Sequence, residues 1–240
     1  MEKRKVRRFT KNCDINLYWV QIPDYATTLD FHHKLNYLDE DERKVYEAYK
    51  VEEKRIEFLL GRVLVKKLLS DCLGLEPEKV RFIKNVYGRP YLHPSYSKSN
   101  LFFNLSHTKG VLACVVSPWE KVGIDIECTD FNAFEVIHSV FTEKEIEFLD
   151  KQVTADSKRQ AFFRMWTRKE AVMKAEGKGF SLSPKSFIVP FDGERVSDGK
   201  YQYLTYSFFQ NYLCSLAVEK KGEFECNIHR FSYEHILGIK

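Results

Sequence analysis

No uninterrupted apolar run in this 240-residue chain approaches the roughly 20 residues that a membrane-spanning helix needs. The sequence therefore predicts no membrane partner. Lys3, Arg4, Lys5, Arg7 and Arg8 make a basic start, but Thr10, Lys11, Asn12 and Asp14 follow where a secretion signal would be apolar. A frayed terminus is the expectation there. Six cysteines (13, 72, 114, 128, 214 and 226) show neither paired nor C-x-x-C spacing. They are expected to be reduced thiols in a cytoplasmic chain. The seven histidines include the doublet His32-His33 but no H-E-x-x-H pattern, so a zinc site is not expected. A net charge of +4 is too small to argue for nucleic acid, and suits a local basic pocket facing an acidic partner. There is no G-x-S-x-G elbow. What remains is a chain expected to be monomeric, 44% hydrophobic, long enough for one large domain or two small ones.

The most informative stretch is Val122-Gly123-Ile124-Asp125-Ile126-Glu127. It reads as a strand in which β-branched residues alternate with carboxylates. Residues two apart on a strand share a face. Asp125 and Glu127 are thus neighbours, and Ile124 and Ile126 turn into a core. Two such carboxylates repel unless a cation lies between them, and oxygen ligands suit a hard ion such as Mg²⁺. Taken alone, a solvent-facing edge strand with incidental acids is the better reading.

Residues 162–174 carry apolar side chains at helical spacing: Phe162, Met165, Trp166, Val172 and Met173. Glu170 shares a face with Trp166, Thr167, Met173 and Lys174. It is either half of a routine surface pair with Lys174 or a third carboxylate for the same ion, with the lysine meeting an anion. The run Phe102-Phe103-Asn104-Leu105-Ser106-His107 ends in a hydroxyl and an imidazole. Adjacent residues on an extended segment point to opposite sides, so these two do not form a nucleophile–base dyad. Both can donate to phosphate, or His107 can merely cap a turn.

These stretches, together with Tyr87-Gly88-Arg89-Pro90 and Trp166-Thr167-Arg168-Lys169-Glu170-Ala171, resemble in order and spacing the Sfp-type 4′-phosphopantetheinyl transferases. A weaker match is Phe58-Leu59-Leu60-Gly61-Arg62. The resemblance covers roughly residues 40–190. It implies transfer of phosphopantetheine from coenzyme A to a serine of an apo acyl, peptidyl or aryl carrier protein. It implies Asp125, Glu127 and Glu170 as Mg²⁺ ligands. Ser106, His107, Arg89 and Lys174 would hold coenzyme A phosphates, with Lys84 in the same turn. Glu170 is the first choice of base and Glu127 the second. Arg62 leads the candidates for the 3′-phosphate, ahead of Arg43 and Lys44, with Lys54 and Arg55 also in reach. Glu57 lies close to where a basic residue often falls in that family. The implied fold is α+β, two similar subdomains in a pseudo-two-fold arrangement with coenzyme A at the junction. A silent coenzyme A or carrier-binding module and a Mg²⁺-dependent phosphohydrolase are the competing readings.

The pattern along the chain divides it into residues 1–120 and 121–240. Strands are expected at 16–21, 80–83, 101–105, 111–116 and 122–127, then near 187, 203–208, 213–218 and 226–229. Helices are expected at 39–49, 52–73, 133–139, 143–150 and 155–175. Phe134, Ile137 and Phe141 recur at i, i+3 and i+7 after the carboxylate strand. Either they pack on their own core or Phe134 stands out as an anchor for the carrier.

Overall fold

The computed structural model describes residues 14–130, 134–209, 211–220 and 222–238. The basic N-terminal residues, Cys13 and the expected start of a helix at Ala133 lie outside the described residues.

The chain opens with β1 (Asp14–Gln21), then α1 (Glu40–Ala48) and the long α2 (Glu52–Leu73). A short hairpin follows, β2 (Phe82–Lys84) and β3 (Pro90–Leu92), then β4 (Phe102–Thr108) and β5 (Val111–Ser117). Next come β6 (Val122–Cys128), α3 (Ile137–Val140), α4 (Glu143–Asp150) and α5 (Ala155–Glu176). The last elements are β7 (Arg195–Ser197), β8 (Gln202–Phe208), β9 (Tyr212–Val218), β10 (Glu225–Phe231) and α6 (Tyr233–Leu237).

Two four-stranded sheets result, ordered β10-β1-β5-β4 and β6-β9-β8-β7. The same connection occurs twice. In each half a first strand is followed by a 22-residue helix and a hairpin, and the hairpin's second strand pairs antiparallel with the first strand. Thus β1-α2-β4-β5 corresponds to β6-α5-β8-β9. This is the expected α+β doubling, visible in topology although no sequence repeat announces it.

Burial alternates along the strands to make layers. On β5, Leu112, Cys114 and Val116 face α2, while Val111, Ala113 and Val115 face the other sheet. Ile124 and Ile126 join that inter-sheet core, as their alternation predicts. Helix α5 covers the outer face of the second sheet with Phe162, Phe163, Ala171, Val172 and Ala175. The order is α2, sheet, sheet, α5. Asp125 and Glu127, one residue out of phase with the isoleucines, are therefore turned towards α5.

Several boundaries differ from expectation. β10, in the expected second half, returns to the first half and pairs parallel with β1. Tyr233 and Ile236 of α6 then bury themselves in the core of α2. The free edge of β1 and the apolar flank of α2 need covering, and this C-terminal segment covers them. Phe187 is not in a strand; the edge strand is β7. Ser106 and His107 lie inside β4, which runs on to Thr108, rather than at its end. Among the described residues no helix is long and apolar enough to cross a membrane.

Candidate active site at the junction of the halves

The two halves meet where β4 lies along the edge of β6 that is not paired to β9. Asn104, Ser106 and Thr108 share one face of β4. Their side-chain oxygens accept from the main-chain N–H groups of Ile124, Ile126 and Cys128, at 3.0, 3.4 and 3.4 Å. Polar side chains at every second residue thus take the place of a missing strand and satisfy that edge of β6.

Opposite this zipper stands α5. Its Lys174 Nζ is 2.6 Å from Asp125 Oδ1 and donates to Ser106 Oγ at 2.8 Å. Ser106 Oγ in turn donates to Asp125 Oδ1 at 2.9 Å. Glu127 accepts from Thr108 Oγ1 at 3.3 Å and from Trp166 Nε1 at 3.4 Å. The carboxylate of Glu170 makes no hydrogen bond among the described residues, and is the least engaged of the three acids. So Asp125, Glu127, Glu170, Lys174 and Ser106, drawn from three elements and both halves, share one place.

Burial and the charge of Asp125 push both Glu127 and Glu170 up to about 7, with Lys174 only partly offsetting the effect. Burial favours the neutral amine of Lys174, but Asp125 and Glu170 outweigh it and hold the ammonium above its ordinary range. The cluster therefore carries more negative charge than one lysine balances.

Among the described residues no three His, Cys, Asp or Glu side chains stand in closed metal-ligating geometry. Lys174 lies against Asp125 and neutralises it there. The donor set nevertheless fits a hard cation. It is all oxygen, it is crowded, and Asp125 Oδ2 is buried with no hydrogen-bond partner.

His107 points the other way, as strand alternation requires. Its Nδ1 is 3.2 Å from Glu57 Oε2 on α2, and Lys54 Nζ is 2.6 Å from the same oxygen. Burial would raise the Glu57 carboxyl, but His107 and Lys54 together hold it below its usual range. An acid close to where a basic residue often falls in that family thus holds Lys54 and His107 in place. Lys54, His107 and Arg62 line a cavity of about 210 Å³ with Phe58 and Asn104. Arg62 is buried, paired with Glu42 at 3.1 Å and stacked over Phe58 and Phe82. It also borders a second cavity of about 500 Å³ with Lys84. Arg43, Lys44 and Arg55 are engaged elsewhere, on Leu35 O, Asp41 and Tyr49 O.

Arg89 lines neither of these two cavities. Its guanidinium is buried against main-chain carbonyls of α5 and β6. The alternative of a mere surface pair between Glu170 and Lys174 gives way, since Lys174 bonds Asp125. Phe134 is half-buried, edge-on to Phe162 at 5.7 Å, and Phe141 is fully buried. That stretch packs on its own core more than it stands out.

Sequence reasoning passed over most of Trp166-Thr167-Arg168-Lys169-Glu170-Ala171. Thr167 Oγ1 lies 2.7 Å from Ser215 Oγ. Arg168 bonds Thr205 Oγ1 at 3.0 Å and the carbonyls of Pro190, Asp192 and Gly193. Lys169, fully buried, meets Glu145 at 2.9 Å and the carbonyls of Pro184 and Phe187 at 2.6 and 2.7 Å. Three consecutive polar residues on a buried helix are the signal that could have revealed this: their charges need partners. The helix is bolted down on every side, which fixes where Glu170 and Lys174 emerge. Lys169→Met is expected to destabilise the protein by about 3–5 kcal/mol, because the buried Glu145 carboxylate, still held by Thr142 and Val189, loses its countercharge. Urea unfolding checks this; a change within about 0.5 kcal/mol, as for a surface substitution, would refute it.

A sequence model of the 4′-phosphopantetheinyl transferase superfamily matches residues 121–222. A second, described as 4′-phosphopantetheinyl transferase, N-terminal, matches residues 25–119. The chain is 32% identical over 165 residues to the 4′-phosphopantetheinyl transferase HetI of Nostoc sp. (strain PCC 7120), covering 67% of this chain and 65% of the relative. It is 30% identical over 158 residues to Sfp of Bacillus subtilis (strain 168), covering 65% and 67%. It is 31% identical over 187 residues to ffp of Bacillus subtilis, covering 75% and 80%. The matches with HetI and Sfp thus span about two thirds of those relatives' length.

Proposed function

The chain belongs to the 4′-phosphopantetheinyl transferase superfamily, and on that premise we propose that it moves the phosphopantetheine arm of coenzyme A onto a serine hydroxyl of an apo carrier protein. Adenosine 3′,5′-bisphosphate leaves. The observation that carries the reading is the convergence of Asp125, Glu127, Glu170 and Lys174 with Ser106 at the seam between the halves. A cytoplasmic monomer with no nucleic-acid partner remains the reading of the sequence.

In phosphoryl transfer the protein mainly positions groups and neutralises charge. Asp125, Glu127 and Glu170 would hold Mg²⁺, which when bound neutralises a pyrophosphate. Lys174 and Ser106 present an ammonium and a hydroxyl beside Asp125, suited to donate to phosphate oxygens. Glu170 is the preferred base. Among the described residues its carboxylate makes no hydrogen bond, which leaves it available to take up the proton of a serine. Glu127, already accepting from Thr108 and Trp166, is the weaker choice.

The cavity of Lys54, Arg62 and His107 is the favoured seat of the 3′-phosphate. Lys54 heads this set because its side chain, although paired with Glu57, is half-exposed, whereas Arg62 is buried against Glu42. A charge-assisted hydrogen bond contributes about 1.5–3 kcal/mol. Dephospho-coenzyme A is thus expected to lose about ten- to a hundredfold in kcat/KM. Lys54→Glu should narrow that discrimination. Equal rates with both substrates would remove the 3′-phosphate from this cavity and leave the carboxylate chemistry intact.

The function is tested by mass spectrometry of a panel of apo carriers after incubation with coenzyme A and Mg²⁺. Addition of one phosphopantetheine, with nucleotide release only when carrier is present, is the expected result. Nucleotide released from coenzyme A alone would indicate a phosphohydrolase. Release in neither case would indicate a silent binding module.

A further inference from the structure

Helix α5 ends beside the site, and its last carbonyls would be short of donors. Gly177, in the left-handed region at φ 69°, begins the repair: its N–H reaches Lys174 O at 3.1 Å, and Lys178 N–H reaches Met173 O at 3.3 Å. The rest comes from the other half of the molecule. Arg89 Nη1 donates to the carbonyls of Lys174 and Ala175, the latter at 2.5 Å. Its Nη2 donates to Val122 O at 3.0 Å. Asn85 Nδ2 donates to Gly177 O at 2.7 Å, while Asn85 Oδ1 accepts from the N–H groups of Tyr87 and Arg89 and shapes the turn between β2 and β3. The turn lies so close that a Cβ on Gly177 would stand 2.5 Å from Tyr91 Oη and 3.0 Å from Arg89 Cδ.

One guanidinium therefore joins the first residue of β6 to the last turn of α5. Asp125 lies three residues along that strand, and Lys174 is the residue whose carbonyl is held. The cation is also favourably placed at the negative end of the helix. We infer that Arg89 is a positioning residue: with Asn85 it clamps the end of α5 onto the start of β6 and so sets Lys174 against Asp125. The Tyr87-Gly88-Arg89-Pro90 turn acts through the helix end, not by gripping a coenzyme A phosphate. The catalytic consequence rests on the proposed transfer; the clamp itself does not.

Arg89→Gln is the test, in the full chain. Misplacing Lys174 is expected to lower kcat for carrier modification by about ten- to a hundredfold. KM for coenzyme A should change less than about threefold, because no ligand contact is lost. The double variant Arg89→Gln/Lys174→Ala should lose no more kcat than Lys174→Ala alone, since the two act through one interaction. Amide exchange over residues 174–178 should quicken by at least about tenfold as the helix end opens. A large rise in KM for coenzyme A at constant kcat would make Arg89 a ligand contact and overturn the inference. So would multiplicative losses in the double variant, or unchanged exchange. If the wild-type chain transfers no phosphopantetheine, the proposed function fails, and the exchange measurement still decides the clamp. Should Arg89→Gln not fold, Asn85→Ala, which removes only the bond to Gly177 and the turn's bracing, carries the same readouts; unchanged exchange there would equally overturn it.

Discussion

Glu170→Gln is expected to lower kcat/KM for carrier modification by about 10²–10⁴-fold, and at the same time to stabilise the metal-free protein above neutral pH. The two effects have one cause. Burial and the neighbouring Asp125 hold the Glu170 carboxyl at about 7, well above its ordinary 4.5. A carboxyl raised in the folded state binds its proton more tightly there than in the unfolded chain. Its ionisation therefore opposes folding, fully so above about pH 7, and less as pH falls, until well below 4.5 both states are protonated. A neutral glutamine escapes that penalty, which is at most about 3 kcal/mol. The melting-temperature gain of Glu170→Gln should be largest near pH 8 and vanish well below pH 4.5. Loss of stability at every pH would assign Glu170 a structural role instead. Chelation with EDTA is expected to abolish transfer by the wild-type chain; activity that survives it would end the Mg²⁺ proposal.

Gly123→Ala is expected to be the most damaging small substitution in the molecule. A Cβ at Gly123 would lie 1.9 Å from Ala171 O and 2.6 Å from Ala175 N. Both are main-chain atoms of α5, so no side chain can rotate aside. Ordinary overpacking costs about 1–3 kcal/mol, and a clash with helix backbone belongs above that range. Either the chain fails to fold or α5 lifts from β6, carrying Glu170 and Lys174 away from Asp125. Urea unfolding and the transfer assay read the two outcomes. Stability within about 1 kcal/mol of wild type would mean that the close approach of β6 and α5 is not needed.

Gly123 shows why part of the site was legible in sequence and part was not. The alternation of Ile124 and Ile126 with Asp125 and Glu127 is local, and a strand has no other way to arrange it. The opposite facing of Ser106 and His107 follows from the same period, and the structure puts them 19 and 50 residues away from their partners Asp125 and Glu57. The long helices α2 and α5 were legible from apolar spacing. The short β3, the edge strand β7 and α6 were not, because brief segments carry too few residues to show a period.

The α+β doubling was implied by the family resemblance, while residue types and spacing by themselves determined the carboxylate pair and the helix that supplies Glu170 and Lys174. Those are properties of secondary structure, set by nearest neighbours along the chain. Tertiary structure alone decided that β10 and α6 return to the first half. It alone turned Arg89 towards the end of α5, gave Glu57 the task of holding Lys54 and His107, and buried Arg168 and Lys169. Each of these is a question of which buried polar group finds which partner. A charge removed from water must be matched by donors or acceptors from distant segments, and only the packed chain brings those together.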